Sequence, residues 1–222
     1  MKYTTILNII LISILAYLVY LMILLTIPHF SFNTDIGFLR IKQWVVDNDV
    51  WLTSFYVHVL TSIVLLLSGF TQFSSYIIKN YPRLHKLMGK SYMMVLLFLS
   101  APSGFIMAIY ANGGPVAQTA FLSLTVLWFF MTIQAWRMIK KKNYEAHARF
   151  MFRSYALTLS ALTLRIWKPS LAVNFDFQPM DLYRLVAWLG WVPNLIIAEL
   201  LIYKKVHIRI LSKLSNTKTR IF

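Results

Sequence analysis

The sequence predicts an all-α, polytopic membrane protein: one bundle of six transmembrane helices with both termini cytoplasmic. Three observations carry that prediction. Of the 222 residues, 59% are hydrophobic and only 13% are charged, against about 25% charged in soluble domains. The apolar residues gather into six runs, each near the ~20 residues needed to cross about 30 Å of hydrocarbon. Lys and Arg crowd into alternate connections between those runs, as the positive-inside rule expects.

The first run, Ile6 to Ile27, is too long for a signal-peptide core and lacks a small-x-small cleavage site, so it reads as a retained helix. The next five are Leu52–Phe73, Ser91–Tyr110, Thr119–Trp136, Phe150–Ala172 and Leu185–Tyr203. "ANGGPVAQ" (Ala111–Gln118) supplies tight turn chemistry between the third and fourth. The longer connection from Pro28 to Trp51 carries Trp44, Val45, Val46, Val50 and Trp51. It reads as a segment lying along the outer interface, its indoles anchored among headgroups. No linker or low-complexity segment interrupts the pattern, so residues 1–222 form a single domain.

Charge fixes the orientation. Lys2, the group Lys79/Arg83/Lys86/Lys90, the group Arg137/Lys140/Lys141/Lys142/Arg149 and the tail from Lys204 to Arg220 fall on one side. The other side has Arg40, Lys42, Lys168 and Arg184, with Asp35, Asp47, Asp49, Asp176 and Asp181. The basic side is the cytoplasm. With so apolar a chain, the net charge of +15 points to an anionic leaflet and not to nucleic acid. The absence of cysteine excludes disulfides, thiolate metal sites, Fe–S clusters and covalent c-type haem. No hydrolase elbow, phosphate loop, HExxH or DxD pattern is present, which sets aside nucleophilic enzymes and nucleotide-driven pumps.

The informative residues are the polar ones inside the runs. A charge at the bilayer centre costs roughly 2.5–3.5 kcal/mol on insertion scales, so such groups tend to be interior and paired. In the fifth run His147, Ser154, Thr158 and Arg165 are spaced by 7, 4 and 7 residues, within about 20° of one line on a helix. In the second run Ser62, Gly69 and Gln72 share a face with His58, and Gly69 leaves room for another backbone. His85, Tyr92 and Ser103 share a face if the third helix begins before Ser91, and Pro102 loosens that helix. By depth, Gln72, His85, His147, Arg153 and Glu199 form a cytoplasmic group, and His58 and Arg165 an outer one. Glu199 has a partner in Arg153 for an ion pair locking the last two helices. Arg165 has no acid in the outer half of any run. Its candidates are backbone carbonyls, Asp176 or Asp181 folding back, or an anionic ligand group. His29 and His207, at a loop mouth and in the tail, are assigned no role.

Several stretches together resemble a known family. They are "HVLTSIVLLLSGFTQF", "RLHKLMGKSYMM", "LSAPSGF", "TVLWFFMTIQAWRMIKKKNYEAHARFMFRSYALTLSALTLRIW" and "AWLGWVPNLIIAEL". The chain resembles the bacterial integral membrane proteins grouped as domain of unknown function 2306, from the second helix to the sixth. The resemblance implies a bacterial cytoplasmic (inner) membrane location and marks His58, Gly69, His85, Gly89, Trp128, His147, Arg153, Arg165 and Glu199 among its pattern positions, without implying an activity. A more distant likeness is to cytochrome b561-type proteins, where a His-x-x-x-Gly segment precedes a span as "HKLMG" does here. That pattern uses four histidines for two haems, whereas three lie near the spans here, so one bis-histidine haem is the most that fits.

The leading expectation is a membrane redox protein binding one b-type haem or a quinone. His85 and His147 would ligate haem iron, Arg153 would contact a propionate, and His58 with Arg165 would form a polar pocket across the membrane. One alternative is a proton or small-anion transporter, working along the fifth-helix stripe with Glu199 and the histidines titrating. Against it, no pair of broken helices is legible. The other is a non-catalytic assembly or scaffold protein for a respiratory complex, docking through the basic face.

Overall fold

The computed structural model describes residues 3–215, and Lys2 and the basic tail beyond Ser215 lie outside the described residues. Among the described residues the only regular structure is helical. Five helices are long and apolar enough to cross a membrane: Ile9–Ser31, Asp49–Gln72, Pro82–Ile109, Gly114–Lys140 and Pro179–Tyr203.

Helix α1 (Tyr3–Thr26) buries one narrow edge, Val19 and Met22, against Leu66 and Leu162. Ile9, Leu11, Ile14 and Tyr17 on its other faces are exposed, as suits a lipid-facing helix. Two 3-10 segments, Ile27–Ser31 and Gly37–Lys42, fold the connection back over the end of the bundle. Helix α2 (Asp49–Gln72) starts earlier than the apolar run suggests, because the Asn48 side chain accepts from the Trp51 N–H at 3.0 Å. Trp51 therefore lies in the first helical turn and is wholly buried, stacked on Phe55 with ring centroids 5.8 Å apart. Trp44 is 63% exposed, whereas the expectation of an interfacial anchor is corrected for Trp51, whose indole is buried inside the protein. With Leu39, Val45 and Tyr56, these rings make the connection a packed cap.

After the short α3 (Ser75–Asn80), the third long helix begins at Pro82, well before Ser91. It runs as α4 (Pro82–Val95), a π turn (Leu96–Ser100) and α5 (Ala101–Ile109). The sequence gives the reason: Pro102 lacks an N–H, so the ladder loses a donor there, and the Ala101 N–H bonds Leu96 O with the wider π spacing. Helix α6 (Gly114–Lys140) follows a turn made by Gly113 at φ +88° and Gly114 at φ +67°, where a side chain would be strained. It packs along α7 (Tyr144–Thr158), and Ala117 and Ala120 let α9 (Pro179–Leu189) approach closely at Ala187.

Two more interruptions correct the expectation of unbroken helices. Helix α7 gives way at Leu159 to α8 (Ser160–Asn174), each 15 residues long. Helix α9 gives way at Gly190–Trp191 to α10 (Val192–Tyr203), next to Pro193. The Gly190 carbonyl accepts from Thr163 Oγ1 and from Asn194 Nδ2, the latter at 3.2 Å, so side chains satisfy what the broken ladder leaves. Helix α11 (Val206–Ser215) packs Ile210 and Leu211 on Ile78.

Candidate functional site

The polar residues of the interior fall into three zones along the bundle axis. At the end away from the cap, Gln72 Nε2 donates to His85 O at 3.1 Å and its side chain rests on Gly89. A Cβ on Gly89 would lie 2.9 Å from Gln72 Oε1. His85 Nδ1 is buried without a hydrogen-bond partner among the described residues. His147 Nδ1 donates to the Ala135 carbonyl at 2.8 Å, so in the neutral ring Nε2 carries the free lone pair. Arg153 clamps Glu199 through Nε at 2.5 Å and Nη2 at 2.8 Å, tying α7 to α10. This is the ion pair expected from the sequence, and it occupies two edges of the guanidinium.

The middle zone is a closed cluster of hydroxyls. Tyr92, fully buried, bonds Ser154 Oγ at 2.6 Å and Thr158 Oγ1 at 2.8 Å. Ser154 also bonds Thr132 Oγ1 at 2.6 Å, and Trp128 Nε1 donates to Thr158 at 3.0 Å. The middle of the fifth-helix stripe is thus a lock between α4, α6 and α7. Beside it, Gly69 admits the Tyr155 ring, whose hydroxyl donates to Leu66 O at 2.9 Å. The close approach foreseen at Gly69 is made by an aromatic ring and not by a backbone.

On the cap side lies a cavity of about 550 Å³ with largely apolar walls, within the size range of small-molecule sites. Both outer residues singled out in the sequence, His58 and Arg165, line it, whereas His85 and His147 do not. His58 Nδ1 donates to Ser100 O at 2.8 Å, inside the π turn that Pro102 provokes, and its ring lies over Gly104. Nε2 is left as the ring's acceptor. Arg165 donates from Nη1 to Ala161 O at 2.8 Å, its only hydrogen bond among the described residues. Of the acids considered for it, Asp181 instead pairs with Arg184 at 2.8 Å.

Sequence reasoning assigned no site role to three nitrogen-bearing lining residues, His29, Lys42 and Lys168. His29 is 7% exposed and neither ring nitrogen has a partner among the described residues. It fits there because Gly37, at φ +50°, has no side chain; a Cβ would lie 3.3 Å from the ring. Lys42 is buried, donates to Tyr110 O and to Asn112 Oδ1 (2.8 Å), and lies 5.1 Å from the Trp44 ring centroid. Burial in the cap pushes its ammonium down to about 8. No local pattern announces these residues, since each is carried in by the long connection or by a break in a helix.

Among the described residues, no group of three or more His, Cys, Asp or Glu could hold a metal ion. No curated protein and no solved structure matches the chain. A family model described as "Predicted membrane protein (DUF2306)" matches residues 55–202. That match runs from the second turn of α2 to the last turn of α10, carries both the hydroxyl lock and the His58–Arg165 side of the cavity, and places this chain in the DUF2306 family of membrane proteins.

Proposed function

We propose that this membrane protein binds one amphiphilic molecule dissolved in the bilayer, with its apolar body in the 550 Å³ cavity and its oxygen-bearing head at His58 and Arg165. The carrying observation is a largely apolar cavity whose walls include a free imidazole acceptor and a guanidinium with one backbone bond. Polar groups placed so in apolar surroundings fix a head group and give specificity. In this reading α7 and α8 together make a sixth pass, both termini are cytoplasmic, and the cavity lies in the outer half of a bacterial inner membrane. The basic residues of α3, α4 and the α6–α7 turn support that orientation.

The redox expectation enters here in its quinone form. A quinone carbonyl accepts from Arg165, and the hydroxyl of the reduced form donates to His58 Nε2. The haem form rests on His85 and His147, outside the cavity. A reduced-minus-oxidised visible spectrum tests it, with b-type bands abolished by His85→Ala or His147→Ala as the supporting result.

The main test is solvent extraction of protein purified in mild detergent, followed by mass spectrometry. The expected result is one organic molecule at near-stoichiometric yield, lost in His58→Ala and Arg165→Ala. A folded wild-type protein that carries none, and whose Trp51 and Trp128 fluorescence ignores added short-chain ubiquinone and dodecanoate, would refute the reading.

A further inference from the structure

The cavity's ionisable lining is one-sided. Among the described residues it contains Lys42, Arg165 and Lys168, the imidazoles of His29 and His58, and the phenol of Tyr183, and no carboxylate. The partners of the two bonded cations are neutral: Lys42 has Tyr110 O and Asn112 Oδ1, and Arg165 has Ala161 O. The Lys168 ammonium, on an exposed residue of α8, has no hydrogen bond or ion pair among the described residues. The acids of the same end are engaged elsewhere where they are paired at all, Asp35 with Arg40 at 3.4 Å and Asp181 with Arg184. Carbonyl dipoles satisfy donors but do not cancel charge, so buried Lys42 and the exposed side chains of Arg165 and Lys168 leave net positive charge beside one apolar space, which an anion would compensate.

His29 adds an independent observation. It is nine-tenths buried in the cavity wall, and both of its nitrogens lack a partner among the described residues. A buried ring nitrogen without a bond is costly unless a ligand or water supplies one. The aromatic and aliphatic walls, among them Phe55, Leu65, Phe121 and Leu164, give the anion an apolar body to belong to.

We propose that the amphiphile is anionic: a single-chain molecule with a carboxylate or phosphate head, its charge set against Arg165, Lys168 and Lys42 and an oxygen hydrogen-bonded by His29. This rests on the reading that the cavity binds an amphiphile. It goes further in naming the head-group charge and in giving His29, Lys42 and Lys168 a binding role. A neutral quinone satisfies the donors and leaves the charge uncompensated.

The test is tryptophan fluorescence of the full chain in phosphatidylcholine nanodiscs, titrated with dodecanoate, dodecyl phosphate, dodecanol, short-chain ubiquinone and inorganic phosphate at pH 8. The expected result is that one of the two anionic amphiphiles binds at least tenfold more tightly than dodecanol or the quinone. Arg165→Gln and Lys168→Gln each then weaken that anion about tenfold and weaken dodecanol by a clearly smaller factor. The preferred anion also identifies the head as carboxylate or phosphate. If dodecanol or the quinone binds as tightly as the anions, the anionic assignment falls and the amphiphile reading stands. If inorganic phosphate binds as well as dodecyl phosphate, the apolar body plays no part and the assignment also falls. If nothing binds a protein that elutes as a folded species, both fall together. His29→Gln, which keeps a donor, should retain more affinity than His29→Leu; equal loss in both would remove His29 from the site.

Discussion

Gly69→Ala is the sharpest perturbation the fold offers. A Cβ at this position would lie 1.9 Å from both Cζ and Oη of Tyr155, far inside the 3.0 Å that real Cβ contacts respect. The ring cannot step aside cheaply. It is 7% exposed, its centroid is 5.1 Å from Phe73, and its hydroxyl is fixed to Leu66 O at 2.9 Å. Overpacking costs about 1–3 kcal/mol, and breaking the hydroxyl bond adds about 1 kcal/mol. The sum, about 2–4 kcal/mol, corresponds to roughly 5–15 °C in apparent melting temperature for a chain of this size. The assay is thermal unfolding in detergent, read by intrinsic fluorescence at one fixed heating rate. Tyr155→Ala alone also destabilises, by about 3–5 kcal/mol for an aromatic truncated in a core. The two changes must couple, because with the ring gone the alanine at 69 has nothing to meet. Should the double variant lose the sum of the two single losses, the packing argument at Gly69 is wrong.

Three further outcomes follow from the geometry. Glu199→Gln should cost about 1–2 kcal/mol, between exposed and buried pairs because the carboxylate is 48% exposed; adding Arg153→Gln should cost no more, and additive losses in a melting series would deny the pair. Lys42, in the cap, has its ammonium pushed down to about 8 from 10.5. Between those values the folded protein binds fewer protons than the unfolded one, so stability rises with pH from about 8 to 10.5; Lys42→Met should flatten that slope, and an unchanged slope assigns it to another group. Gly104→Ala places a Cβ 2.9 Å from His58 Cε1 and 3.0 Å from Nδ1, so it should lower ligand affinity about tenfold (about 1.4 kcal/mol) in the fluorescence titration, and unaltered affinity would remove the His58 head-group role.

What the sequence disclosed and what it hid divide along one physical line. The stripe His147, Ser154, Thr158, Arg165 was legible because a helix turns side chains by a fixed angle, and the bonds from Ser154 and Thr158 to Tyr92 confirm that these two share a face. The Arg153–Glu199 pair was legible from charge and depth alone. His29, Lys42 and the burial of Trp51 were not, because they depend on a connection of more than twenty residues folding back onto the bundle. Gly37 at positive φ makes that return possible, and one glycine in a loop does not announce which ring it will accommodate. The interruption at Leu159 had no breaker residue to betray it. The one at Gly190–Trp191 had Pro193, whose effect on a ladder is local and was there to be read.

The stripe on α7 and α8 also passes from polar groups that are saturated to polar groups that are not. Near Gln72 and Gly89, His147 is oriented by the Ala135 carbonyl and Arg153 by Glu199. In the middle, Tyr92, Thr132 and Ser154 are wholly buried and saturate one another. Toward the cap the protein partners thin out: among the described residues Arg165 has one side-chain bond, to a backbone carbonyl, the buried His29 ring has none, and the exposed Lys168 ammonium has none. Thr158 belongs to both regions, bonded into the lock and lining the cavity. A proton or anion path along the whole stripe must pass through hydroxyls whose bonds already hold three helices together. A ligand site needs only the unsatisfied end, with the lock beneath it as a rigid floor. That gradient is the physical support for the proposed ligand site in the cavity, with the stripe below it holding the helices together.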